Sequence, residues 1–269
     1  MSNVFSHDLD DVSLAEALIK VSEHLRSEFC SKTVFKQLDA LYLEAKQTLQ
    51  MESDGERRLE KFLALFYGRW GFSEPNGSFL LSDMFWLDKV LESRKGTAVS
   101  LGAILLYLAN QLELTIAPVI FPSQLLLRSD TEAGEMWFIN PFNGKTLDES
   151  MLHAWLRGTV GIEAELYDDD LSISSTSEVF YRVLHTLKSS LMDEQQMEKA
   201  LQVSQLLLEF EPDDPYVIRD RGLIYAQLEC GQAAFNDLSY FIKHCPDDPI
   251  SEMIKVQMCS LEQTSVVLH

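Results

Sequence analysis

Gly96-Thr97-Ala98-Val99-Ser100-Leu101-Gly102-Ala103-Ile104-Leu105-Leu106-Tyr107-Leu108-Ala109-Asn110-Gln111 decides how this chain is read. Between Val99 and Ala109 Ser100 is the only polar residue. An apolar run of that length without β-branched alternation predicts a helix buried on every side rather than a strand. Gly96-Thr97 supplies the start signal, and Asn110-Gln111 with Glu113 returns polarity at the end. Strand-like pieces follow at 116–121 and 125–128, then Trp137-Phe138-Ile139-Asn140-Pro141-Phe142. One helix followed by short strands predicts an α+β unit whose sheet packs on the helix. The N-terminus of such a helix favours a thiol nucleophile or an anion, because free N–H groups and the helix dipole meet there.

Upstream of this unit the pattern is helical. Leu14, Leu18, Val21, Leu25 and Phe29 recur at spacings of three and four behind Ser13, a plausible N-cap. Further helices are expected at 34–50, at 56–70, where Leu59, Phe62, Leu63, Phe66, Tyr67 and Trp70 share a face, and from Ser82 to Leu91. The aromatic group Phe66, Tyr67, Trp70, Phe72, Phe85 and Trp86 reads as core, since such rings bury the largest areas. Downstream, 147–156 reads as a helix with Asp148 and Glu149 in its first turn. Residues 163–177 are acidic and Ser-rich, which predicts a solvated linker. The expected domains are therefore 1–162 and 178–269, with 163–177 between them.

The last third contains a repeat. Pro212-Asp213-Asp214-Pro215 recurs as Pro246-Asp247-Asp248-Pro249 at an offset of 34 residues, shared by Ala200 and Ala234. That is the period of a tetratricopeptide helix–turn–helix unit. Ile218, Gly222, Tyr225, Ala234, Leu238 and Pro246 fill the familiar places of one unit. In the unit before it, Lys188 stands where a small residue is usual and Ser204 where a large one is. The expectation is two repeats and a capping helix. Tetratricopeptide geometry turns Arg182, His185, Tyr216, Arg219, Leu223 and Met253 toward a concave surface, where a protein or peptide segment would bind or the preceding domain would dock.

Composition removes several classes of function. A net charge of −20 disfavours direct binding to nucleic acid, which needs clustered Lys and Arg to neutralise phosphates. The acidic start lacks the basic and apolar regions of a secretory signal, and the longest apolar stretch is interrupted by Asn110, Gln111 and Glu113, so no membrane span is expected. Four cysteines, Cys30, Cys230, Cys245 and Cys259, do not suggest a disulfide framework. Their spacing with His244 matches no common zinc site, and no phosphate-cradling or dinucleotide fingerprint is present. The expectation is a reduced, cytoplasmic protein without metal or cofactor.

Arg94-Lys95-Gly96-Thr97-Ala98-Val99-Ser100-Leu101, Pro122-Ser123-Gln124-Leu125-Leu126-Leu127-Arg128 and Ile139-Asn140-Pro141-Phe142-Asn143-Gly144, with the downstream repeats, resemble the bacterial SirB-type family. That family joins a transglutaminase-like, papain-like core to a short tetratricopeptide region, so the resemblance implies an α+β domain followed by an all-α one. Active members of the wider superfamily carry a Cys at the start of the core helix, then a His and an Asp on successive strands. The chemistry needs a thiolate, an imidazolium beside it and a carboxylate orienting the ring. Here residues 31–152 contain neither Cys nor His. The Cys place falls at Ala98 or Ser100, the His place at Gln124 and the Asp place at Asn140. None of these titrates usefully near neutral pH.

The resemblance thus implies a pseudoenzyme: a non-catalytic interaction or regulatory protein, with a link to virulence or invasion gene expression suggested by the family's name. A Ser/Gln/Asn hydrogen-bonded cluster is expected at the vestigial triad. Two alternatives stand beside it. One is a hydrolase or acyl transferase using Ser100 with a rearranged base such as His153; the other is a small-ligand sensor using the vestigial pocket.

Overall fold

The computed structural model describes residues 9–122, 124–131 and 134–266; Ser123 and the side chains of Asp10 and 259–266, Cys259 among them, lie outside the described set. The chain divides into two compact units that part between Phe180 and Tyr181.

The first unit is built around α5 (Ala98–Gln111), the helix expected from the apolar run. Leu101, Ala103, Ile104, Leu105 and Leu108 are fully buried in it. Three helices and the sheet enclose it: α1 (Leu14–Leu25), α2 (Ser31–Leu49), α4 (Leu87–Ser93), and strands β1 (Ala117–Phe121) and β2 (Gln124–Asp130). Gly102 permits the closest approach of helix to sheet, since a Cβ there would lie 2.8 Å from Leu125 Cδ2. Ser13 caps α1 in a capping box with Glu16. Arg26, at the end of α1, pairs with both carboxylate oxygens of Asp88 at 2.7 and 2.9 Å and lies over the Trp86 ring, tying α1 to α4.

Two helices differ from their expected form. The 56–70 helix is α-helical only over α3 (Gly55–Leu63), then opens into a π-helical turn, Ala64–Arg69, in which Trp70 N donates to Leu65 O at 2.9 Å. The Ser82 helix breaks into a 3₁₀ turn, Ser82–Met84, and α4. Met84, Phe85, Trp86 and Leu87 are consecutive and all buried, and one continuous helix would have spread them around its circumference.

The sheet is antiparallel in the order β1-β2-β3-β4, with β3 at Met136–Ile139 and β4 at Thr146–Leu147. Leu125 and Leu127 approach α5, while Val119, Phe121, Leu126 and Phe138 form a second core with Leu152 and Leu156 of α6 (Glu149–Thr159). The sheet is therefore sandwiched between helices.

Residues 163–177 are not the solvated linker that their composition suggests. Ser174 N donates to Pro118 O at 2.9 Å and Ser174 Oγ accepts from Ile120 N at 3.0 Å, while Arg128 Nη1 donates to Leu171 O at 3.1 Å. Ala164, Leu166 and Leu171 pack on the second core. The segment covers the free edge of β1, satisfying backbone groups that an exposed edge strand would leave open. Pro118 sits on that edge, where its missing N–H disturbs no ladder.

The second unit is helical: α7 (Thr176–Asp193), which brings the chain into it, α8 (Met197–Phe210), α9 (Pro215–Gln227), α10 (Gly231–His244) and α11 (Pro249–Val266). These are two helix pairs and a closing helix, as the repeat predicts. In each Pro-Asp-Asp-Pro turn the second Asp caps the next helix and the final Pro is its first residue. Asp214 accepts from Tyr216 N at 2.7 Å, and Asp248 from Ile250 N at 2.8 Å.

Candidate functional site

The start of α5 is where the family resemblance puts the superfamily's nucleophile, at Ala98 or Ser100. Thr97 is the N-cap, its hydroxyl accepting from Ser100 N at 3.2 Å. Ala98 and Ser100 are both buried. Ser100 Oγ lies 3.2 Å from Thr97 Oγ1 and 3.3 Å from Thr97 O, and these are its hydrogen-bond partners among the described residues. Gly96 lids it, since a Cβ on Gly96 would lie 2.5 Å from Ser100 Oγ. The neighbouring backbone is strapped down by bonds from Ser73 N to Arg94 O and from Gly96 N to Ser73 O, and Lys95 Nζ bonds Ser73 Oγ. Ser100 is thus a sealed hydroxyl satisfied by its own helix turn, and among the described residues its hydrogen-bond partners include no base.

Gln124 begins β2 opposite Phe121, and its Nε2 is buried without a partner among the described residues. Asn140, just past β3, is spent on a turn: its Oδ1 accepts from Phe142 N at 2.9 Å and its backbone oxygen from Gly144 N at 2.8 Å. Tyr67, from the π-helical turn, braces that turn by donating to Pro141 O at 2.8 Å, and burial raises the pKa of its hydroxyl far above the ordinary value. No hydrogen bond among the described residues joins Ser100, Gln124 and Asn140, so the expected polar cluster does not form. Each residue is bound, or left unbound, within its own local turn. His153 also makes no bond to Ser100 among the described residues: it is on α6, with Nε2 3.7 Å from Glu149 and Nδ1 buried without a described partner. The rearranged Ser100–His153 pair is not made.

Residues 32–185 match the model of the transglutaminase-like superfamily, and residues 187–258 that of a tetratricopeptide repeat. The chain is 51% identical to Protein SirB1 of Salmonella typhimurium and 49% identical to UPF0162 protein YchA of Escherichia coli K12, over 269 residues and the whole of each chain. The chain belongs to the SirB1 family. A UPF0162 protein of Vibrio cholerae is 39% identical over 270 residues, again covering both chains fully. No solved structure matches.

In this SirB1-family chain the residues singled out on the repeats differ in how committed they are. Arg182 is exposed and makes no ion pair among the described residues, Tyr216 is 46% exposed, and Met253 is 71% exposed. Tyr216 donates to Asp248 at 3.0 Å, as Tyr181, one repeat earlier, donates to Glu211 at 2.8 Å. Leu223 packs against the Leu238, Phe241, Ile254 and Met258 cluster. Arg219 stacks over the Tyr216 and Phe241 rings and pairs with Asp220 at 2.6 Å.

Asp220 also holds Lys188, at 2.5 Å; Lys188 is 1% exposed, so the unusual residue at the small-residue place is a buried cation bridging α7 to α9. His185 lies between: burial lowers its pKa and the charge of Lys188 adds to this, opposed by Asp214, Asp220 and Glu211. Sequence reasoning missed Asp220. The signal was available in the Lys at a buried repeat position, which demands an acid within reach.

Proposed function

We propose that this protein is a non-catalytic, cytoplasmic interaction protein that binds a protein or peptide segment along the first helices of its repeats. The transglutaminase-like unit is a scaffold whose triad places, Ala98 or Ser100, Gln124 and Asn140, are held apart in separate local turns rather than joined as a catalytic unit. The observation that carries the reading is the state of Ser100: buried, lidded by Gly96, and bonded to Thr97 rather than to a base. A nucleophile needs both access and a proton acceptor. The chain's charge of −20 favours a protein partner over nucleic acid. The family resemblance points the interaction toward regulation of gene expression, exerted through a partner.

Arg182, His185, Tyr216, Arg219, Leu223 and Met253 are the proposed contact residues. Arg182 and Met253 are the cleanest probes, because neither supports the fold through an ion pair or burial. Crosslinked pull-downs with wild type and with an Arg182→Glu, Met253→Glu variant of unchanged melting temperature test the proposal. It expects a partner retained by wild type and lost by the variant. Identical captures by the two proteins would contradict it.

A further inference from the structure

α5 has a second end, and two cavities open there. The larger, of about 630 Å³, lies between the C-terminal half of α2, the start of α3 and the end of α5; the smaller, of about 150 Å³, shares Arg58 and Glu113 with it. Neither is lined by Ser100, Gln124 or Asn140. The larger falls within the size range of small-molecule sites, which combine apolar walls with a few placed polar groups.

Its charges are unevenly committed. Glu52 is held by Lys61 at 2.7 Å, and Glu113 is exposed. Neither cation on the wall makes an ion pair among the described residues. Among the described residues Lys46 Nζ contacts Tyr42, donating to its hydroxyl at 3.2 Å and lying 5.5 Å from its ring centroid. Arg58 Nη2 donates to Leu112 O at 2.8 Å, which pins the guanidinium at the end of α5, while its Nε is enclosed, with no acceptor among the described residues. The Arg58 guanidinium thus brings to the cavity wall a positive charge that an incoming anion would neutralise. Leu49 and Leu112 give an apolar wall, and Gln47, Gln50 and Gln111 bring primary amides that both donate and accept.

We propose that this cavity binds a small molecule carrying one carboxylate beside an amide and an apolar group. The carboxylate pairs with the Arg58 guanidinium, Lys46 supplies the further positive charge, the Gln amides meet the ligand's amide, and the leucines meet its apolar part. With Glu52 already neutralised and Glu113 on the wall, the site balances a single negative charge rather than the double charge of a phosphate. It is independent of the repeat surface.

Calorimetric titration of the full-length protein with N-acetyl-L-leucine, N-acetyl-L-leucinamide and inorganic phosphate tests it. The acid should bind saturably and the amide about tenfold or more weakly, the loss expected for one charge-assisted hydrogen bond. Lys46→Met, a change at an exposed side chain, should weaken the acid while leaving the melting temperature unchanged, and Arg58→Met should weaken it further. Arg182→Glu should have no effect, which separates this site from the repeats. Absence of saturable binding of the acid, equal binding of the amide, tighter binding of phosphate, or indifference to Lys46→Met and Arg58→Met would overturn the proposal.

Discussion

Ser100 in α5 and Lys188 in α7 are both polar residues sealed in apolar surroundings, and the chain satisfies them in opposite ways. Ser100 is served within one helical turn, by the N-cap residue three positions before it. Lys188 is served from another helix, by an acid 32 residues further along the chain. A hydroxyl can be sealed by local bonds because its desolvation is modest. A buried ammonium needs an opposite charge brought in by the tertiary fold. The first residue thus depends on a cap, the second on the docking of two repeats.

The sharpest break of this comparison is Asp220→Ala. The pair is 2% and 17% exposed, so removing the acid strands a buried cation at a cost of about 3–5 kcal/mol, read from chemical denaturation of the repeat unit. Adding Lys188→Met should recover a large part of that loss. Leu105→Ala, in the fully buried helix that carries Ser100, should cost about 3 kcal/mol by cavity formation and broaden or split the unfolding transition of the first unit. Thr97→Ala should cost about 1 kcal/mol, the usual loss of an N-cap, visible as a lower denaturation midpoint. Ser100→Ala should cost less than about 1 kcal/mol, because only a local hydrogen bond goes.

The smallest effect is one of pH. Because burial lowers the folded pKa of His185, the unfolded chain takes up that proton first as pH falls. The stability contributed by neutral His185 is therefore complete above about pH 6.5, the ordinary imidazole value, and declines below it until the folded ring is also protonated. His185→Gln should flatten the pH dependence of the denaturation midpoint just below about pH 6.5. An unchanged slope would mean that His185 does not carry it.

Much of the fold was legible because its signals were local. The α5 apolar run, the Ser13 and Thr97 caps, the strand pieces and the 34-residue repeat all state their structure over a few turns of chain. The edge cover was not legible. The Asp and Ser residues of 163–177 report solvation by composition, while Ser174 works through its register with Pro118 and Ile120, more than fifty positions away. The π-helical turn that places Tyr67 left no periodic trace. At the candidate site, the absence of Cys and His from residues 31–152 was readable from the residue types alone, but the way Ser100, Gln124 and Asn140 go their separate ways was not, because each answers to a different turn. The cavity at Arg58 was invisible for the same reason, since its walls come from three helices.

The most direct test of the central claim is labelling of purified protein with a serine-reactive phosphonate probe, with Ser100→Ala alongside. The sealed, base-free hydroxyl predicts the same labelling, or the same lack of it, for both proteins. Labelling of the wild type that disappears in Ser100→Ala would contradict the account and make this a working active site.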